Sequence, residues 1–280
     1  MTTLERSQAH CRAIAKSRAR NFYYSFVLLP LEKKNAMCAM YAFMRYCDDL
    51  SDEPGATLSA IEHWREALNE ALAGQPDENP MWPAFLDAVG RYAIPRQYFY
   101  EMIEGVASDL EPRAITTFDE LYAYCYRVAS VVGLTTIHIF GFTSPEALSL
   151  AEKCGIAFQL TNIIRDIRED AGLGRIYIPA EDLARFGVSR DDIAGARRTE
   201  QFGALMQFET ERARAYYRES APLLEFIEPG SRPALWALIA IYSRLLDRIV
   251  ESHYDVLVRR ISLPAAEKSW IVLRAALRIL

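Results

Sequence analysis

No glycine or proline interrupts residues 33–50, KKNAMCAMYAFMRYCDDL, and the break comes only at Pro54-Gly55. A run this rich in Ala and Met, with both strong breakers missing, predicts an α-helix of several turns. The same period recurs along the chain. Segment 57–73 starts at a Thr57 or Ser59 cap and ends at Gly74. Pro80, Pro83 and Pro95 punctuate helices predicted over 81–92 and 95–109. Thr117, with Glu120 three residues on, is a capping box for 118–131. Pro145 opens a long helix over 145–169, and AGLGRIYIP (171–179) is a glycine-containing loop. Helices resume over 179–186, 199–225, 232–260 and 264–278. The β-branched run Ile176–Ile178 is too brief for a sheet. With no repeat, linker or low-complexity stretch, the expectation is one all-α domain over 1–280.

The chain has 280 residues, 51% of them hydrophobic, which suffices for one large core. Its net charge of -5, from 32 basic and 37 acidic residues, argues against a nucleic-acid partner. An anionic substrate must therefore be met by local arginines or by bound cations. Five cysteines, an odd count without any C-x-x-C, read as reduced thiols filling the core. Residues 1–20 hold no apolar run fit for a signal peptide. No stretch reaches the roughly 20 apolar residues of a membrane span. Segment 263–280 is amphipathic, with Glu267, Lys268, Arg274 and Arg278. These features predict a cytoplasmic protein, with peripheral contact to a membrane surface left open.

Two acidic helix ends carry the chemistry. The first reads Arg45-Tyr-Cys-Asp48-Asp49-Leu-Ser-Asp52-Glu53. Asp48 and Asp52, four apart, share one helix face about 5–6 Å apart. Like charges at a helix C-terminus repel one another and oppose the macrodipole. A hard cation reverses that balance, since Mg²⁺ takes one or two carboxylates and fills its other positions with water and phosphate. A solvated acidic end before a turn would look the same. The second end is Asn162-Ile-Ile-Arg165-Asp166-Ile-Arg-Glu169-Asp170. Asn162, Asp166 and Asp170 fall at i, i+4 and i+8, with Gln159 one turn earlier. The upstream helix is apolar, so these groups are expected to point into a cavity; a polar seam between helices is the plain alternative. Facing each other, the two ends would cage Mg²⁺ and a diphosphate. Since each end is a cluster of like charges, Asp48→Ala and Asp166→Ala are expected to leave the fold intact.

Two further segments fit such a ligand. Arg18-Ala-Arg20-Asn-Phe22-Tyr-Tyr-Ser-Phe26 sets cations beside an aromatic run, which suits a diphosphate head and an apolar tail. In Tyr122-Ala-Tyr124-Cys-Tyr126-Arg-Val-Ala-Ser130-Val-Val-Gly133, Tyr126, Ser130 and Gly133 fall at helical spacing. The small residues there leave room for a ligand or for close helix packing. The histidines His10, His63, His138 and His253 show no metal spacing.

With these four segments the chain resembles the squalene/phytoene synthase family of head-to-head prenyl synthases. The motifs are Tyr41-Ala-Phe-Met-Arg45-Tyr-Cys-Asp48-Asp49-Leu-Ser-Asp52-Glu53 and Gln159-Leu-Thr-Asn162-Ile-Ile-Arg165-Asp166-Ile-Arg-Glu169-Asp170, then Gly174-Arg175-Ile-Tyr177-Ile-Pro179. Within the family it looks most like bacterial presqualene diphosphate synthases. Phe22–Phe26, 124–133, 183–189 and 211–217 carry that narrower likeness. The resemblance implies an isoprenoid-synthase-type bundle around a central apolar cavity. It implies Mg²⁺, with Mn²⁺ as a substitute, on Asp48, Asp52, Asn162, Asp166 and Asp170, supported by Asp49. It implies diphosphate contacts from Arg45, Arg165 and either Arg259 or Arg260. Tyr126 and Tyr242 look like cavity tyrosines near the reacting carbons, and Gln159 lines the same space. Arg20, Phe22, Phe26, Arg175 and Tyr177 complete the expected substrate set. Where relatives often carry Ser-Lys-Ser-Phe, this chain has Ala19-Arg20-Asn21-Phe22.

The expected reaction joins two farnesyl diphosphates into presqualene diphosphate, with Tyr126 or the departing diphosphate taking the proton. The same chemistry on C20 substrates would give phytoene, and dehydrosqualene or squalene are further products of the type. No G-x-G-x-x-G follows a strand, so NADPH is not expected, and squalene formation would fall to downstream enzymes. A catalytically inert helical scaffold or lipid carrier is the reading from a different class.

Overall fold

The computed structural model describes residues 1–19, 22–52, 56–110 and 114–277, with Asp52 described by its backbone alone. The described residues form helices joined by turns and loops and hold no strand, only an isolated bridge between Phe142 and Ile227. In chain order the helices are α1 (Thr3–Arg18), α2 (Phe22–Phe26), α3 (Leu31–Asp52), α4 (Leu58–Leu72), α5 (Trp82–Arg91), α6 (Gln97–Ser108) and α7 (Phe118–Cys125). A π-helical turn, Tyr126–Ser130, joins α7 to α8 (Val131–Phe140). Then come α9 (Glu146–Gly172), α10 (Ala180–Phe186), α11 (Arg190–Ala194), α12 (Glu200–Ser220), α13 (Leu223–Phe226), α14 (Arg232–Glu251) and α15 (Ala265–Ala276). Among the described residues no helix is long and apolar enough to cross a membrane.

The boundaries follow local chemistry. Thr57, Thr117 and Thr199 each accept a backbone N–H three residues on, at 3.2, 3.3 and 3.1 Å. Four places depart from the sequence expectation. The N-terminal segment is a full helix, α1, with a Thr2–Glu5 capping box. The helix expected over 118–131 passes through the π turn and runs on to Phe140. The helix expected over 199–225 is cut near Pro222, a residue without the N–H a helix interior needs. The helix expected over 232–260 ends at Glu251, where His253 and Tyr254 take φ of 52° and 56° and a 3-10 turn follows. No Gly or Pro marks that stop.

The core has two centres. One gathers around Phe43, Trp82, Phe85 and Phe99, all fully buried, with Phe43 stacked on Phe85 at 4.7 Å. Burying each ring is worth roughly 1.5–3 kcal/mol. The other surrounds the C-terminal half of α9 with α12 and α14, from Ile156, Leu160 and Ile164 to Leu205 and Leu245. The 27 residues of α9 span about 40 Å and serve both centres. Gly155 lets α9 approach the π turn: a Cβ there would sit 2.5 Å from Ser130 Cα. Ser130 Oγ donates to Glu152 O at 2.8 Å across the same contact. At the opposite end Lys33 Nζ gathers Phe140 O (2.6 Å), Glu228 Oε2 (2.8 Å) and Ser231 Oγ (3.1 Å), pinning α3 to α8 and α14.

Candidate active site

A cavity of about 490 Å³ opens between α2, α3, α6, the π turn, α8, α9 and α14. On α3, Tyr41, Arg45 and Asp48 line it at i, i+4 and i+7; on α9, Gln159, Asn162, Asp166 and Asp170 do the same. The two acidic helix ends thus meet on one cavity. Its wall follows α9 from Asp170 back to Ala151, 19 positions or about 28 Å of rise. Farther along the helices the lining is mainly apolar, reaching Met37, Ile137, Ala151 and Leu235, and it also holds Thr136 and Arg127.

The mouth is organised by charge. Asp166 accepts from Arg165 Nε at 2.7 Å and from Arg260 Nη2 at 3.2 Å. The Arg165 side chain is only 13% exposed. The expectation that Asp166→Ala leaves the fold untouched is therefore corrected: it would strand a buried guanidinium. Asp170 is pushed up to about 7, chiefly by burial and then by Asp166 and Asp109, with Arg175 opposing. Arg175 Nη2 also donates to Ser51 O at 3.4 Å, tying the loop after α9 to the end of α3.

Asn162 Nδ2 donates to Gln159 Oε1 at 3.3 Å, while its buried Oδ1 has no partner. Among the described residues no three Asp, Glu, His or Cys side chains form a self-contained metal site. An orphan amide oxygen beside hard, mutually repelling carboxylates is a donor set that fits Mg²⁺.

The cavity collects Phe22, Phe26, Arg45, Asp48, Gln159, Asn162, Arg165, Asp166, Asp170, Tyr177, Tyr242 and Arg260 from the expected residues. Asp49 lies off its lining and is Arg45's ion-pair partner. Arg175 lies off the lining, bonded to Ser51 O and bearing on the wall through its charge beside Asp170. Arg259 is off the cavity too, paired with Asp255 at 3.0 Å, so of the two late arginines only Arg260 reaches it. Arg20 and the side chains of Asp52 and Glu53 lie outside the described residues. Tyr126 is not among the lining residues and packs against the core, while Tyr124 lies on the wall. The π turn is the reason, because its wider winding shifts the side-chain register that simple helical spacing assumes.

The wall residues that were missed include Tyr124, Asp109, Phe158 and Tyr41. Tyr124 stacks on Tyr177 at 4.7 Å, and both phenols donate to Asp109, at 3.3 and 2.8 Å. Phe158 stacks on Tyr242 at 4.4 Å. Tyr41 borders Arg45, Asp48 and Tyr242, and burial pushes it up to about 12. Asp109 is a lone acid at a helix end, with no spacing signal in the sequence.

Comparison with known proteins fits this geometry. The profile of the squalene/phytoene synthase family matches residues 15–267. A phytoene synthase of Arthrospira platensis is 37% identical over 288 residues, covering 96% of this chain and 92% of that protein. A dehydrosqualene synthase crystallised with a ligand superposes with a TM-score of 0.90 at 28% identity, over 99% of this chain and 97% of that one. The squalene synthase HpnC from Alicyclobacillus acidocaldarius superposes with a TM-score of 0.82 at 29% identity, over 89% of this chain and 94% of that one.

Proposed function

The chain belongs to the squalene/phytoene synthase family, and on that premise we propose that it condenses two farnesyl diphosphates head to head into presqualene diphosphate. The observation that carries this reading is the single cavity in which acidic and arginine side chains line the mouth and apolar ones line the depth. Asp48, Asn162, Asp166 and Asp170, joined by Asp52 on family grounds, would hold Mg²⁺. The ion supplies a Lewis acid that neutralises the leaving diphosphate.

The chain's own residues do the rest. Arg45, Arg165 and Arg260 fork onto diphosphate oxygens and orient the head groups at the mouth. The apolar wall keeps water from the allylic cation left when the C–O bond breaks. Tyr242, stacked on Phe158 and 5.7 Å from Phe22, presents ring faces to that cation, each worth roughly 1–2 kcal/mol when desolvated. The double bond of the second substrate attacks, and loss of a proton closes the cyclopropane. The departed diphosphate serves as the base, since Tyr126 lies off the wall and Tyr124 is held as a donor to Asp109.

A second reading is favoured by one observation: the 37% identical relative is a phytoene synthase, which supports C20 substrates. The test is incubation with C15 and C20 diphosphates and Mg²⁺, without reductant, followed by product identification. Presqualene diphosphate from the C15 substrate supports the proposal, and phytoene alone selects the second reading. No diphosphate release from folded protein with either substrate would leave the carrier or scaffold.

A further inference from the structure

Next to the apolar cavity, sharing Arg165 and Arg260 with it, lies a second hollow of about 310 Å³. Four guanidinium groups line it, Arg165, Arg168, Arg259 and Arg260, with Glu169 at its edge. Arg165 and Arg260 line both hollows and so form the partition between them. The local ion pairs set Arg165, Arg198, Arg259 and Arg260 against Asp166, Glu169 and Asp255. Arg168, whose Nη1 donates to the carbonyl of Val258, completes the four arginines of the lining, which stand against these three anions, while Arg198 pairs with Asp255 from outside the lining. One positive charge is thus in excess at one concave spot of a chain whose net charge is -5. Tethering the 255–260 segment would explain one arginine; it does not explain four cations converging on a hollow.

We propose that this outer hollow is a second anion site, and that its ligand is a diphosphate group. Arg168 and Arg259 reach only the outer side, so they take the anion that Arg165 and Arg260 hand across the partition. A guanidinium fork matches phosphate oxygens in pairs, and several forks on one hollow suit a multiply charged anion better than a lone carboxylate. The group has two sources: inorganic diphosphate leaving the inner cavity, or the head of an incoming prenyl diphosphate. The assignment of sources rests on the proposed reaction; the binding itself does not.

The first arm of the test needs no turnover. Inorganic diphosphate is titrated calorimetrically into the whole protein without prenyl substrate. The wild type should bind it, Arg168→Gln should bind five- to twenty-fold more weakly, and Arg168→Lys should recover part of the loss. Lys153→Gln, which removes a distant exposed partner of Glu219, should change nothing. Thermal melts establish that the variants are folded. No binding by the wild type, or an Arg168→Gln affinity within twofold of it, would overturn the proposal. The second arm is steady-state. Weaker inhibition of Arg168→Gln by added diphosphate at unchanged KM identifies the departing anion. A KM that rises in step identifies the incoming head group.

Discussion

At Asp166 one carboxylate faces two guanidinium groups, and this decides how the acidic mouth responds to mutation. Asp166→Asn keeps an oxygen acceptor for Arg165 and removes the charge. It should lower turnover by about 10²–10³-fold with little loss of stability, as expected for removing one preorganised electrostatic contact. Asp166→Ala should add a destabilisation of about 3 kcal/mol in urea melts, because the buried Arg165 loses its counter-charge. Asp48 stands exposed at the mouth, so Asp48→Ala should cost activity alone. Equal stability of the two alanine variants would refute the clamp. Asp170 gives a second prediction at this scale. Burial and its acidic neighbours raise it to about 7, so below that pH a cation must displace its proton. Calorimetry of Mg²⁺ binding at pH 6.5 in buffers of different ionisation heat should detect proton release. Asp170→Asn should abolish it, and affinity in the wild type should climb as pH rises through 7. The spacing of these acids was legible because i, i+4 geometry lies within one helix. Asp109 was not, because its phenol partners come from α7 and from the loop after α9.

The π turn shows where reading by element succeeds and where it stops. The Tyr122–Gly133 segment was recognisable as helical and as part of the site, yet the tyrosine on the wall is Tyr124 rather than Tyr126. No residue type signals a π turn; it arises where α9 comes close at Gly155. Tyr124→Phe should therefore reduce kcat roughly tenfold by releasing Asp109, while Tyr126→Phe should stay near wild type. A larger loss at Tyr126 would restore the simple helical register. Helix centres elsewhere followed from period and caps, whereas the end of α14 did not, since His253 and Tyr254 turn the chain without glycine. A different element-level feature was invisible for the same reason as Asp109. Asp182 of α10 and Glu209 of α12 are buried around Arg212, at 2.8 and 2.8 Å, so two carboxylates share one guanidinium. Burial, with Asp182 adding to it against Arg212, raises Glu209 from 4.5 to about 7. The folded state therefore holds a proton that the unfolded state gives up, and stability should fall as pH rises from about 4.5 to about 7. Glu209→Gln should remove on the order of 2 kcal/mol of that fall, measured as Tm against pH.

Across the whole molecule, function depends on the depth of one cavity, and depth is the property a linear reading conveys least. The acidic mouth sits where α3 and α9 end, and both ends were marked in the sequence by aspartates. The part of the wall farthest along the helices from those aspartates holds Met37 near the start of α3, Ile137 on α8, Ala151 near the start of α9 and Leu235 near the start of α14. These are ordinary apolar residues of four distant segments, and only the packing of the bundle makes them one stretch of wall. Met37 is 11 positions before Asp48 on the same helix, about 16 Å from the charged end. If this stretch sets the length of tail admitted, Met37→Ala should deepen the cavity and shift products toward the C20 series. Competition between equimolar C15 and C20 diphosphates should show the C20-derived share rising at least severalfold over wild type. The cost should be about 2–5 kcal/mol of stability, because Met37 is 2% exposed and its removal leaves a void. An unchanged product ratio in a variant that melts cooperatively would mean that tail length is read elsewhere on the wall. Phe26, buried on α2 beside the same cavity, would then be the next side chain to truncate.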